Sequence, residues 1–303
     1  MKRRDFLQLS ASTLLASSGL GISMTSSGGR QLEKVGLQLS TVTPLMLQDF
    51  EGTLGRIAEI GYSQVEFSAM GFLGRPVSYI QDLLRKNNLE APVGRITPRL
   101  PDGFFELSRE DAMKIYREKG KPEHFLDNVA HSLEIALAME QKFLNLPALM
   151  PDQFSTLDQV KRNIELINQA GDLCVKQGVL FGYHNHDWEL KAVEGVVPLD
   201  LMIEQSEPGK VGFQLDAYWI VKGGGSLDDY LSRFAGRFPS CHMKDIDADG
   251  NFADVGHGEI DFQAFTAAAM AQGATHFFVE RDNPPDPASS ILRSYNYLSQ
   301  MTF

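Results

Sequence analysis

Seven polar side chains stand at or near the ends of short apolar runs along this chain: Glu66, Arg95, Asn145, His184, Asp216, His242 and Glu280. A buried strand tolerates a carboxylate or an imidazole only where something compensates it. Four of the seven, His184, Asp216, His242 and Glu280, are of metal-ligand type. Two imidazoles and two carboxylates suit one divalent ion, with Mn2+ the first choice and Zn2+, Co2+ or Fe2+ as alternatives. Taken singly, each reads as a satisfied polar group; four in register point to a metal. Such an ion would stabilise negative charge on a substrate oxygen, and Glu280 is the first candidate for an acid–base role beside it. His186 alternates onto the face of His184 and Lys244 onto that of His242, so both are candidates for acid–base or orienting roles. The competing role for these two is a hydrogen bond that supports a ligand.

Such residues meet only if their strands run side by side. Short apolar runs alternate with helical patterns throughout, which argues for βαβ units and a parallel sheet. Strands are expected over 35–39, 64–67, 92–96, 142–146, 179–184, 211–216, 240–244 and 276–280. Helices are expected over 49–60, 77–86, 125–139, 157–176, 199–205, 227–234, 262–271 and 288–298. Eight repeats with no dividing linker fit a single (β/α)8 TIM barrel, in which every strand's C-terminal end faces one rim. The competitor is an open doubly wound sheet, but no Gly-x-Gly-x-x-Gly follows a strand. Gly223-Gly224-Gly225 reads as a turn. Residues 98–122 are too long for a simple connection and form either a lid or a surface excursion.

Around the proposed rim, Glu66, Arg95, Glu189, Trp219 and His257 are candidate substrate contacts. Each has a plainer alternative: an ion pair for Arg95, a loop cap for Glu189, packing for Trp219. Cys174 and Cys241 read as buried free thiols. The stretch from Asp245 to Gly250 has a calcium-loop look, but its twelfth position is Gly256 rather than a bidentate Glu, so it reads as a solvated loop.

The first thirty residues read as an address. Lys2-Arg3-Arg4-Asp5-Phe6-Leu7 precedes a small-residue apolar stretch too short to span a membrane, then Ser26-Ser27-Gly28-Gly29. The arginine pair with Phe6-Leu7 resembles a twin-arginine signal, which implies export to the periplasm and a mature domain over 31–303. A net charge of −11 without a basic patch in the rest of the chain excludes nucleic acid as a natural partner. No stable membrane insertion is expected, and a homo-oligomer is compatible with the sequence.

Beyond these residue types, the run Phe181-Gly182-Tyr183-His184-Asn185-His186-Asp187-Trp188-Glu189 resembles the fifth-strand motif of the sugar phosphate isomerase/epimerase family, built on the xylose isomerase-like barrel. The resemblance continues through Leu215–Trp219, His242–Asp245, Gly256–Phe262 and Phe278–Asp282. It implies a small-molecule sugar substrate and one divalent metal held by Glu, Asp, His and Glu from strands five to eight. Asp216, His242 and Glu280 match the last three; His184 stands where the family has Glu. Family epimerases use two metal-bound glutamates on opposite sides of the substrate, and His184 breaks that pair. The resemblance therefore implies an isomerase or epimerase acting on a keto-sugar through a metal-stabilised enediolate. Its alternative is a lyase or hydratase eliminating β to the carbonyl of a 3-keto-glycoside.

Overall fold

The computed structural model describes residues 29–68 and 70–303. The export address lies almost wholly outside them. Arg30 already belongs to the fold: its N–H donates to Phe303 O at 2.8 Å.

Eight parallel strands make the barrel: β1 (Gly36–Gln38), β2 (Gln64–Glu66), β3 (Val93–Arg95), β4 (Phe143–Leu146), β5 (Leu180–His184), β6 (Val211–Asp216), β7 (Ser240–Met243) and β10 (His276–Val279). Their order is β2-β1-β10-β7-β6-β5-β4-β3. The remaining gap, between β2 and β3, is bridged just below β3. There Val65 N–H donates to Glu90 O at 2.8 Å and Glu90 N–H to Ser63 O at 2.9 Å. The barrel is thus nearly closed, as the eightfold sequence pattern predicts. Among the described residues, no helix is long and apolar enough to cross a membrane.

Period-two alternation explains how so apolar a wall carries a polar interior. In β6, Val211, Phe213 and Leu215 join the core outside the barrel, while Gln214 and Asp216 point inward to polar partners on other strands. Small and large residues alternate across the lumen. Gly36 in β1 sits where a Cβ would press into the Phe278 ring of β10, so the glycine makes room for that ring.

The expected helices all form, most within two residues of their predicted ends. Phe50–Ile60 is begun by the Asp49 side chain, which accepts from Gly52 N, and is stopped by Gly61 at φ 119°. Leu157–Val175 starts with a capping box between Thr156 and Gln159. Three helices escape the sequence reading: Thr43–Gln48, Arg109–Lys119 and Ala217–Lys222. The supposed solvated loop after β7 is corrected in part. It is a hairpin of β8 (Asp245–Ile246) and β9 (Phe252–Ala253). Its first residue, Asp245, is buried because its carboxylate accepts backbone N–H groups from Ile246, Gly256, Gly258 and Ile260. Both cysteines are free and buried, as expected.

Candidate active site

His184, Asp216, His242 and Glu280 bring one donor atom each within 4.8 Å of one another, and all four are buried. Asp216 ends β6 and caps the helix Ala217–Lys222: its Oδ1 accepts from Trp219 N at 3.0 Å. This fixes the carboxylate so that Oδ2, which has no hydrogen-bond partner, aims into the cluster. Around Oδ2 lie His184 Nε2 at 3.7 Å and His242 Nδ1 at 3.7 Å. Glu280, just past β10, places Oε2 at 3.0 Å from His242 Nδ1.

Each imidazole has its other nitrogen tied below. His242 Nε2 lies 2.9 Å from Glu66 Oε2, and His184 Nδ1 lies 3.1 Å from Gln214 Oε1. With those nitrogens protonated, His242 Nδ1 and His184 Nε2 present lone pairs to the cluster. The supports are themselves fixed. Gln214 Nε2 donates to Glu66 Oε2 at 2.9 Å and to Ser240 Oγ at 3.0 Å, and Arg95 spans Glu66 Oε1 at 2.7 Å and Gln214 Oε1 at 2.9 Å. Burial would raise the pKa of Glu66, but Arg95 and His242 outweigh it and keep it ionised. Burial holds His184 well below the ordinary histidine range, with His242, His186 and Arg95 adding to the effect. His184 is therefore a neutral ring, the form that binds metal.

Charge supplies an independent test. Four carboxylates (Glu66, Asp216, Glu280, Asp282) face Arg95, Lys244 and His242. Burial would lower the His242 pKa, but Glu280 and Glu66 raise it well above the ordinary histidine value. Once His242 gives up its proton to free Nδ1 as a ligand, two negative charges are left in a largely buried site. A divalent cation balances that surplus, and the orphaned Asp216 Oδ2 has room to take one. The residues present fit a divalent metal ion.

Above the cluster, Lys244 Nζ lies 3.1 Å from Glu280 Oε2 and 2.6 Å from Asp282 Oδ2. Burial alone would lower its pKa, yet Glu280, Asp216 and Asp282 raise it above the ordinary lysine value. The ammonium also sits 5.0 Å from the Trp219 ring centroid. Burial would raise the Glu280 pKa, but Lys244 and His242 hold it well below the usual carboxylate range. Its Oε1 accepts from the Ser40 hydroxyl at 2.9 Å. His186 stacks on Trp188, with ring centroids 4.2 Å apart, and lies 5.2 Å from Trp219. Its Nδ1 is buried without a partner, and burial together with Lys244 pushes its pKa down to about 3.

The sequence profile of the xylose isomerase-like TIM barrel family matches residues 54–300. The chain belongs to this family. An inosose dehydratase from Geobacillus thermodenitrificans is 24% identical over 159 residues, covering 45% of this chain and 53% of that enzyme. The match therefore spans about half the length of that relative. Among solved structures, a sugar phosphate isomerase/epimerase from Parabacteroides distasonis superposes with a TM-score of 0.71 at 24% identity, covering 92% of this chain and 96% of that one. A D-allulose 3-epimerase from Methylomonas sp., in complex with D-allulose, gives 0.63 at 12% identity over 90% and 98%. At these identities the superpositions speak for the fold alone.

Within this xylose isomerase-like barrel, the candidate ligands, His186, Lys244, Arg95 and Trp219 all come to the cluster or its immediate surroundings. Three candidate substrate contacts are placed otherwise. Glu66 is fully buried in the floor under His242. Glu189 is fully buried in the loop after β5, bonded to the Tyr183 hydroxyl and accepting from His186 N at 2.8 Å. It holds the loop that aims His186. His257 is exposed beyond the hairpin. Ser40, Gln214 and Asp282 join the site without having been singled out. Gln214 lies two residues before Asp216 in β6, so the same alternation would have found it. Ser40 and Asp282 lie past the ends of β1 and β10, where strand alternation gives no signal.

Proposed function

We propose that this chain is a metal-dependent enzyme that removes the proton beside the carbonyl of a sugar-like ketone and completes a β-elimination, as a lyase or dehydratase. The observation that carries this reading is the one-sided placement of the acid–base groups. Epimerisation through a deprotonated carbon asks for a second base on the opposite face. There this chain has His184, a buried imidazole tied to Gln214.

His184, Asp216, His242 and Glu280 would hold the ion, with Mn2+ our first choice. Bound there, a divalent ion lowers the cost of negative charge on the substrate's carbonyl oxygen. The chain's own groups do the rest. Glu280 is kept ionised by Lys244 and His242, so it stands ready to accept a proton at neutral pH. Oε1 is the oxygen that takes it, because its partner is the neutral Ser40 hydroxyl rather than a cation. Lys244, held as an ammonium by three carboxylates, is a poor proton donor but stabilises charge on a departing oxygen. The rings of Trp188 and Trp219 supply apolar faces for a sugar to lie against.

The dehydratase relative supports elimination; the second reading is isomerisation or epimerisation of a keto-sugar, the kind of activity for which the epimerase neighbours are named. Incubating the Mn2+-loaded enzyme with 3-keto-glycosides and keto-sugars in D2O separates them. Elimination yields an unsaturated ketone and a released alcohol, whereas deuterium in an epimerised keto-sugar without loss of a group would sink the elimination reading. Glu280→Gln is expected to abolish proton exchange in either case. We also propose that residues 1–30 carry the chain to the periplasm by the twin-arginine route.

A further inference from the structure

A cavity of about 530 Å3 lies outside the barrel, behind the last residues of β3 and β4. Arg95 and Asn145 of those strands face inward, whereas their neighbours Ile96 and Leu146 line the cavity. Phe125 and Ile167 close it from the helices Phe125–Ala138 and Leu157–Val175, and the helix Arg109–Lys119 covers it. None of the four cluster residues lines it. Leu149 does, and behind Leu149 stand Trp188, whose Nε1 donates to the Leu149 carbonyl at 3.1 Å, and His186, stacked on Trp188. The cavity is a compartment of its own.

Close-packed proteins seldom keep so much apolar space open, and the covering helix is the cause. It buries none of its residues fully. Its segment is tied down at the ends instead: Arg99 N donates to Asn128 Oδ1 at 2.9 Å, and Asn128 Nδ2 donates to Lys119 O at 2.7 Å. One asparagine thus holds both ends of residues 99–119, and the span between them roofs the space without filling it. Met113 and Met150, both lining the cavity, stay 44% and 57% exposed. The volume falls within the range of small-molecule sites, about 300–1,000 Å3.

The polar groups of the lining indicate what such a molecule would carry. The Gln153 and Asn163 amides are committed like that of Asn128: Gln153 Oε1 accepts from Met150 N at 2.7 Å, and Asn163 Nδ2 donates to Gln153 O at 2.9 Å. Among the described residues no carboxylate lines the cavity, so a cation would meet no counter-charge, and the one charged lining residue is Arg117. Elsewhere on this segment Lys114 pairs with Glu110 at 3.1 Å and Lys121 with Glu118 at 2.6 Å, whereas no described carboxylate pairs with Arg117. Tyr116 beside it adds no negative charge, because burial raises its hydroxyl pKa. In a chain with 39 acidic and 28 basic residues, a guanidinium left over at an apolar cavity points to an anion from outside.

We propose that this compartment is a binding site, separate from the metal cluster, for an apolar monocarboxylate. The apolar body lies between the outer faces of β3 and β4 and the covering helix, and the carboxylate meets Arg117, which is exposed where the cavity opens to solvent. The ligand supplies the apolar contact that the covering helix lacks. The site does not depend on which reaction the cluster performs.

The probe is 2-naphthoate, with 2-naphthamide as its neutral counterpart. Titration calorimetry on the full chain is expected to find one naphthoate site, of equal affinity with and without Mn2+. Naphthamide should bind there about fivefold more weakly, which is what one partly exposed ion pair supplies. Arg117→Gln should bring the two affinities together. Ala148→Phe, which puts a ring into the cavity, should weaken both by about tenfold, and Met113→Trp serves as a second probe should that variant fold poorly. No saturable naphthoate binding, binding that needs Mn2+, or binding indifferent to both cavity substitutions overturns the site. A naphthoate preference that survives Arg117→Gln overturns the assignment of the anion to Arg117.

Discussion

Glu66 is the residue whose position changes most when the site is seen from below rather than from the rim. It ends β2 as a sequence reading expects, yet it faces His242 and Arg95 in the floor. Supports of this kind set the tautomer of a ligand and typically alter metal affinity by about 10–100-fold. Glu66→Gln is expected to weaken Mn2+ binding by about that factor, measured by competition with a chelator, whereas Asp216→Ala should lose the metal altogether. Metal affinity unchanged in Glu66→Gln would show that His242 needs no such anchor. Glu189 gives a second test, this one in pH. Burial raises its pKa to about 7, against opposing hydrogen bonds from Tyr183 and His186. Its folded pKa thus exceeds its unfolded value. Its contribution to stability is fully present below the unfolded carboxylate pKa and is lost as pH rises through about 7, by about 3 kcal/mol in all. Glu189→Gln cannot titrate. Urea unfolding should find it gaining on wild type from pH 4.5 to pH 8, and a constant difference across that window would refute the account. The ligands were legible because charged residues at strand ends are conspicuous. Gln214 obeys the same alternation, but an amide in a strand excites no suspicion until its partners are seen, and Ser40 lies past β1 in a 3-10 turn that the alternation does not reach.

At the scale of elements, the strands announced themselves through apolar runs, and the helices through periodic apolar faces and caps. What escaped had weak faces. The helix Arg109–Lys119 buries none of its residues fully, so its apolar periodicity is faint. A cap signal was nonetheless present, since Ser108 Oγ accepts from Asp111 N at 3.2 Å in the pattern Ser-x-x-Asp. Ala217–Lys222 was hidden because its N-cap, Asp216, was already claimed as the end of a strand. That one residue serves strand, helix and cluster, and the helix is what leaves Oδ2 free. Glycines in the strands carry a similar message. A Cβ on Gly182, inside β5, would overlap Asn145 Oδ1 in the next strand. Gly182→Ala should cost about 1–3 kcal/mol, as overpacking does, and displace the Asn145 side chain from its place over Gly182. A melting temperature equal to wild type would mean that Asn145 moves aside freely.

At the scale of the whole molecule, the cluster takes its ligands from β5, β6, β7 and the end of β10, with supports from β2 and β3, so it exists only once the barrel has nearly closed. Metal binding and folding are then one equilibrium. Mn2+ at a hundredfold over its dissociation constant should add about 2.7 kcal/mol to the unfolding free energy, a gain that Asp216→Ala should forfeit. The same dependence bears on the proposed export. A chain threaded unfolded would have to build this buried site afterwards, whereas the twin-arginine route moves proteins already folded. That route reads the arginine pair itself, and Arg3-Arg4 stands at the head of the apolar stretch as the address requires. Changing both to lysine keeps the positive charge that an ordinary secretory signal would need. Folded, full-length protein should then accumulate in the cytoplasm, followed by fractionation and immunoblotting. If the lysine variant reaches the periplasm as efficiently as wild type, the arginines are not being read as a pair, and the chain travels unfolded to assemble its site outside.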